Sequence, residues 1–345
     1  MLYNQLRKDY LLNRWVIIAT ERARRPTDFA KQKTEPTKTN NCPLCPNNEH
    51  MTPPAVLVYT LQNGEIKKGI EEKDFRYKNW KIRVIPNLYP AFSPPEKPID
   101  IDQIVTEDNF GYAVGHHEVL VESPNHNEQP SDAGLQQLTY VIDAYKDRLE
   151  ALSQKSYTRY VQIFRNHGLE AGASLSHPHS QIIATPFLPT IIESEIKASK
   201  KYFRKNNICY FCNLIREESK TRRFIKRTEN YTVFTPYASV HPLEFWILPN
   251  RHMTNILSLT KNETEDFAKT LQSSLKALKD LVNDPPYNYG IHLSMNPQDR
   301  EHFHWHLEVY PHLSIWAGFE KSTGTYINTV PPETAATEIK NLFKF

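Results

Sequence analysis

Cys42-Pro-Leu-Cys45, Glu118-Val-Leu-Val-Glu-Ser-Pro-Asn-His126 and His177-Pro-His179 recur, in the same order, as Cys209-Tyr-Phe-Cys212, Glu244-Phe-Trp-Ile-Leu-Pro-Asn-Arg-His252 and His304-Trp-His306. The histidine intervals agree closely, since 126 to 177 is 51 residues and 252 to 304 is 52. A repeat of this kind puts all four cysteines and four histidines into matching slots, so the chain reads as one unit written twice. The copies part at one place. His177-Pro-His179 continues as Ser180-Gln181, whereas His304-Trp-His306 continues as Leu307-Glu308. The chemistry is therefore expected in the first copy, with a degenerate second half and one catalytic site per chain.

Outward from these motifs, both halves order their elements alike. Glu118 to Val121 and Tyr160 to Phe164 read as strands, and between them Leu135, Leu138, Ile142, Tyr145 and Leu149 fall at the three-and-four spacing of an amphipathic helix. The second half gives Glu244 to Leu248 as strand, then Phe267, Leu271, Leu275, Leu278 and Leu281 as helix, then Tyr289 to Leu293 as strand. Arg14 to Thr20 and Trp80 to Pro86 are further strands, and Glu193 to Lys205 is a helix with a solvated face. Two similar α+β halves follow, with the boundary at 1–190 and 191–345.

Composition narrows the class. With 345 residues, 39% of them hydrophobic, the chain can bury a sizeable core. It has no apolar run near the roughly 18 residues that span a bilayer and no apolar leader, so a cytoplasmic protein without a membrane partner is expected. The net charge of +3 is the small difference between 42 basic and 39 acidic residues, which argues against a nucleic-acid partner.

A single C-x-x-C is compatible with redox chemistry, but two, each followed by histidines in the same order, favour metal. Zinc takes about four sulfur and nitrogen ligands in a tetrahedron. Cys42, Cys45, His126 and His177 are proposed for one site, and Cys209, Cys212, His252 and His304 for the other. Four protein ligands leave no open position, so both sites are expected to be structural. His116, His117, His241 and His292 compete for the histidine positions, and Glu195, His292 and His306 offer a carboxylate-containing alternative with His304.

In an extended segment alternate side chains share a face, so His177, His179 and Gln181 line up. With His177 held by metal, His179 can donate one ring N–H to a backbone carbonyl and aim the other nitrogen outward as a nucleophile. Gln181 supplies an amide donor for a phosphoryl oxygen. The loop Asn166-His167-Gly168-Leu-Glu-Ala-Gly172-Ala-Ser174 offers two glycines and a hydroxyl for phosphate contact, and Arg22 and Arg25 offer charge.

Arg22-Ala-Arg-Arg25-Pro, Cys42-x-x-Cys45, Asn87-Leu-Tyr-Pro, Ser123-Pro-Asn-His126, His177-Pro-His179-Ser180-Gln181 and Gly318-Phe319-Glu320 together resemble the galactose-1-phosphate uridylyltransferase family of the histidine-triad superfamily. The resemblance implies two tandem histidine-triad halves, each an antiparallel sheet with flanking helices, paired as a homodimer. It also implies UMP exchange between UDP-glucose and galactose 1-phosphate through a nucleotidyl-His179. In it Gln181 and Ser174 hold phosphoryl oxygens, Arg22 and Arg25 lie near phosphate, Asn87 and Asn166 lie near the nucleotide, and Glu320 binds sugar hydroxyls. Gly172 and Ser180 complete the expected substrate-contacting set. Ser180 stands where a glycine is usual, and Asn87-Leu-Tyr-Pro with the second C-x-x-C resembles the ADP-glucose phosphorylase branch, so adenylyl transfer stays open. So does iron in place of zinc at the second site. A zinc-stabilised nucleotide-binding protein without turnover is the reading from another class.

Overall fold

A computed structural model describes residues 3–20, 29, 42–97, 99, 101, 104 and 111–344. Along the chain it forms β1 (Gln5–Lys8), β2 (Trp15–Ile18), β3 (Leu57–Gln62), β4 (Glu65–Gly69), β5 (Trp80–Pro86), β6 (His116–Val121), α1 (Leu135–Ser153), β7 (Tyr160–His167) and β8 (His179–Thr185). It continues as α2 (Thr190–Asn206), α3 (Tyr210–Glu218), β9 (Phe224–Arg227), β10 (Tyr231–Phe234), β11 (Phe245–Pro249), α4 (Lys261–Val282), β12 (Tyr287–His292), β13 (His306–Pro311), α5 (Gly318–Thr323), β14 (Tyr326–Asn328) and α6 (Pro332–Leu342). The fold is α+β, and the chain divides into two compact units.

One unit comprises the described residues of 35–165 and 174–189. Its strands run in the order β4-β3-β5-β6-β8-β7, each antiparallel to its neighbour. The β6–β8 register pairs Val121 with His179, Val119 with Gln181 and His117 with Ile183. Directly paired residues share a face, so His117, Val119, His179 and Gln181 lie on one side of the sheet. Glu118, Leu120, Ser180 and Ile182 lie on the other.

Helix α1 covers that second side. Its buried residues Leu138, Val141, Ile142, Tyr145, Leu149 and Leu152 recur at three-to-four spacing and take in the predicted Leu138, Ile142, Tyr145 and Leu149, whereas the predicted Leu135, in the first turn, is exposed. Burying each large apolar side chain of this kind contributes roughly 1.5–3 kcal/mol. Polar groups fix its register: Tyr145 Oη donates to Ser180 Oγ at 2.8 Å, and Arg148 holds both Glu118 oxygens at 2.7 and 2.8 Å. Under the strands a cluster of Cys42, Leu44, Ala55, Val58, Trp80, Ile85 and Val121 joins the first cysteine turn to the core.

The other unit comprises the described residues of 1–34, 166–173 and 190–345. Its strands run β12-β13-β11-β10-β9, again antiparallel. A small sheet of β1-β2-β14 adds a parallel pair between β2 and β14. Helix α4 starts at a capping box in which Thr260 and Glu263 satisfy each other's backbone N–H groups. Its buried Phe267, Leu271, Leu275, Leu278 and Leu281 match the predicted periodicity.

The expected helix at Glu193 to Lys205 is α2, extended at both ends. The β3–β4 hairpin, β1, β9, β10, β14, α3, α5 and α6 were not anticipated. Among the described residues no helix is long and apolar enough to cross a membrane.

Candidate active site and metal centres

Each unit gathers the cysteines and histidines of its own copy of the motif. In the first, Cys42 and Cys45 form a tight turn closed by the Cys45 N–H to the Cys42 carbonyl at 3.2 Å. Cys45 Sγ stands 3.2 Å from His126 Nδ1 and 3.5 Å from His177 Nδ1, and the two ring nitrogens are 3.3 Å apart. Zinc bonds of about 2.3 Å to sulfur and 2.0–2.1 Å to nitrogen, arranged tetrahedrally, put nitrogen donors about 3.3 Å apart and sulfur and nitrogen about 3.6 Å apart. The side chains therefore fit such an ion. The His177 outer nitrogen donates to the Ser123 carbonyl at 2.8 Å, which orients the ring and leaves Nδ1 as the ligand atom. Burial pushes His177 down to about 4, so the imidazole is neutral at pH 7, as a ligand must be.

The second group is built on a different backbone. Cys209 is the N-cap of α3 and Cys212 lies in its first turn, so a helix replaces the loop of the first copy. Cys212 Sγ is 3.3 Å from His252 Nδ1 and 3.5 Å from His304 Nδ1. Hydrogen bonds, led by that with Cys212, hold the Cys209 thiol far below its ordinary range. His252 Nε2 donates to the Arg300 carbonyl at 2.7 Å. These four residues can hold a metal, as can the first four.

A third group differs from the carboxylate alternative read from sequence. Glu195, His292 and His306 do come together, but their fourth member is Glu308, and His304 belongs with the cysteines. The cause is where the strand begins. His304 and His306 lie on one side of the chain, yet His304 precedes β13 and turns to Cys212, while His306 and Glu308 stay within the strand. Glu195 contacts His292 Nδ1 at 3.1 Å, and Tyr310 bridges toward both His292 and Glu308. Against its burial, the Glu195 and Glu308 carboxylates hold His292 up at about 9.

His179 opens β8 two residues beyond His177. Its Nδ1–H donates to the His177 carbonyl at 2.8 Å, so the lone pair is on Nε2, which meets no partner among the described residues. Burial keeps the imidazole below its ordinary value, with the His177 carbonyl opposing that shift. The corresponding histidine of the other unit is placed quite differently. His306 is fully buried, and its Nε2 donates to Glu308 Oε1 at 3.1 Å. The atom that is free in His179 is thus occupied in His306.

Gln181 shares the His179 face and is anchored at Oε1, 2.7 Å from His117 Nε2. His117, a rival for metal in the sequence reading, belongs to none of the three groups. Asn87 packs beside it, with Nδ2 3.1 Å from His117 Nε2. Ser180, grouped by sequence with the substrate-contacting residues, is instead fully buried on the α1 side, where Tyr145 takes its hydroxyl. The alternation that aligns His179 with Gln181 necessarily turns Ser180 away.

Below this face a buried pair went unnoticed in the sequence. Arg165 Nε meets Glu122 at 3.0 and 3.2 Å, and its Nη2 reaches Gln129, whose amide in turn donates to the Ser176 carbonyl at 3.0 Å. The network holds the chain just before His177.

Ser174 is exposed ahead of β8 in the same unit. Asn166, Gly172 and Glu320 belong to the other unit. There Asn288 donates to Asn166 Oδ1 and to the Ala171 carbonyl, both at 2.8 Å, which ties the glycine loop to β12. Gly172 has φ +85°, a conformation open to glycine. Glu320 caps its own helix by accepting the Ala317 N–H at 3.0 Å. Arg22 and Arg25 lie outside the described residues.

Known proteins are similar to this one over nearly the whole chain. The N-terminal domain of galactose-1-phosphate uridyl transferase matches residues 65–189 and its C-terminal domain matches 195–320. The ADP-glucose phosphorylase of Arabidopsis thaliana is 35% identical over 341 residues, covering 96% of this chain and 91% of that protein. The galactose-1-phosphate uridylyltransferase of Thermotoga maritima is 31% identical over 346 residues, covering 97% and 98%. A crystal structure of the Arabidopsis thaliana ADP-glucose phosphorylase with bound ADP-glucose superposes with a TM-score of 0.79 at 32% identity, covering 98% of this chain and 99% of that one.

Proposed function

The chain belongs to the galactose-1-phosphate uridyl transferase family of nucleotidyltransferases, and from that premise we propose that it moves a nucleotidyl group through a covalent bond to His179. The observation that carries this reading is the fixed tautomer of His179: Nδ1–H is spent on the His177 carbonyl, and Nε2 is left as the nucleophile.

In the first half-reaction Nε2 attacks the α-phosphorus of a nucleoside diphosphate hexose. The N–P bond forms as the bond from that phosphorus to the bridging oxygen breaks, and hexose 1-phosphate leaves with the electron pair. In the second, a phosphate oxygen of the acceptor attacks the same phosphorus and the N–P electron pair returns to Nε2. Gln181 donates to a phosphoryl oxygen, worth most where charge develops. Ser174, Arg22, Arg25, Asn87, Asn166 and Gly172 are the further substrate contacts in this reading, and Glu320 serves the sugar. Two zinc ions, held by Cys42, Cys45, His126 and His177 and by Cys209, Cys212, His252 and His304, would supply structure.

For the substrate, the similarity to an ADP-glucose phosphorylase and to its ADP-glucose complex supports adenylyl transfer from ADP-glucose to phosphate. Uridylyl exchange between UDP-glucose and galactose 1-phosphate, the first expectation from sequence, is the second reading, supported by the Thermotoga maritima relative.

Incubation with ADP-glucose or UDP-glucose labelled at the α-phosphate tests both. An acid-labile, base-stable label on the protein is expected, absent in His179→Ala while that variant keeps its metal. Discharge by phosphate or by galactose 1-phosphate separates the readings. Nucleotide binding without any label would leave a non-catalytic binding protein and sink the mechanism.

A further inference from the structure

The contact between His117 and Gln181 has a direction that the surrounding hydrogen bonds fix. The Ala91 backbone N–H donates to His117 Nδ1 at 3.1 Å. A backbone N–H cannot be reversed, so Nδ1 carries the lone pair and the proton of the ring is on Nε2. Two side chains lie near that proton. Asn87 offers it only Nδ2, because Asn87 Oδ1 already accepts the Tyr89 N–H at 2.9 Å. Gln181 offers Oε1 at 2.7 Å, the shorter contact. Nε2–H therefore donates to Gln181, and the carboxamide is held with its oxygen toward His117 and its NH2 directed away from it.

The consequence bears on sign. A glutamine amide free to rotate presents either its NH2 or its carbonyl to a phosphoryl oxygen, and the carbonyl repels it. We propose that His117 is a positioning residue that locks Gln181 as a donor toward the transferring phosphoryl group, with the Ala91 N–H locking His117 in turn. The sheet supplies the geometry, since His117 lies diagonally across the β6–β8 pair from Gln181 on the His179 face.

The proposal rests on nucleotidyl transfer to His179, and its test must separate the two. A glutamine at position 117 can place an amide N–H where the histidine Nε2–H lies, whereas an asparagine reaches only to the Nδ1 position. His117→Asn, His117→Gln, Gln181→Ala and the double variant His117→Asn with Gln181→Ala are compared for the single-turnover rate of label transfer from ADP-glucose or UDP-glucose, for nucleotide-sugar Kd and for metal content. Removing one charge-stabilising donor lowers a rate by about 10²–10³-fold, so Gln181→Ala is expected in that range, with His117→Asn slower than the parent by about tenfold.

Three results together support the role: Kd within about threefold of the parent throughout, recovery of most of the rate in His117→Gln, and a double variant no slower than Gln181→Ala alone. A slow Gln181→Ala beside a His117→Asn as fast as the parent overturns the positioning role and leaves the mechanism standing. Additive losses in the double variant overturn it too, since His117 would then act independently of Gln181. No label on the parent protein overturns the nucleotidyl-histidine and the proposal with it.

Discussion

At the residue scale, the two sides of β8 serve different ends, and this yields separable predictions. His179 and Gln181 share one face of the sheet, whereas Ser180 is buried against Tyr145. Ser180→Ala and Tyr145→Phe should each cost on the order of 1 kcal/mol of stability by removing the hydrogen bond between the two hydroxyls, and should leave the labelling rate within a few-fold of the parent. Denaturant titration beside single-turnover labelling checks this; a labelling defect in a stable Ser180→Ala protein would restore the substrate contact that sequence assigned to Ser180. Glu122→Gln is a harsher change, because it leaves Arg165 buried without its carboxylate. It should destabilise the protein by about 3–5 kcal/mol, read in the same titration. The row His177, His179 and Gln181 was legible because strand periodicity is a local property. His117 and Arg165 were not, because their partners lie 64 and 43 residues away and no local spacing announces such pairs.

At the element scale, periodic apolar residues were a sound guide where a helix covers a sheet. Helix α4 carries its predicted stripe in full, and α1 carries all of its own but Leu135, which is exposed in the first turn. The shorter elements were missed because four-residue strands such as β9 and β10 hold too few alternations to register, and α3 because a cysteine motif masked its helical start. Position 260 shows that helix termini carry signals that apolar periodicity does not. Hydrogen bonds from Arg251, opposed by burial and aided by Thr260, hold Glu263 down at about 2. A carboxylate so depressed contributes stability above its unfolded value of about 4.3, and that contribution is lost as the pH falls through about 2. Replacing Glu263 by Gln removes the term. The parent and Glu263→Gln should differ most near neutral pH, and their urea midpoints should converge between about pH 4 and pH 2; a gap that widens on acidification would contradict the assignment.

At the scale of the whole molecule, the repeat explains why two similar clusters carry unequal duties. Each unit carries two cysteines and two histidines in the same order, and the residues that follow them differ. Among the described residues Gln181 leaves Nε2 of His179 without a partner, while Glu308 occupies that of His306. The first Cys/His cluster is tied to the proposed nucleophile through the chain, since His177 stands two residues from His179 and accepts its Nδ1–H at the carbonyl. The second has no such link within its own unit. Cys45→Ser and Cys212→Ser should therefore behave differently, although each removes one thiolate from a four-ligand group. Elemental analysis of the parent should give two metal ions per chain, and each variant should lose one. Cys45→Ser should also lose labelling at His179, because the ring of His177 is no longer held and the carbonyl that fixes the His179 tautomer moves with it. Cys212→Ser should keep the labelling of its folded fraction, with a lower midpoint of thermal unfolding. A third ion in the parent would place metal among Glu195, His292, His306 and Glu308. A folded Cys212→Ser protein that binds nucleotide sugar but takes no label would show that the second centre does more than hold its unit together.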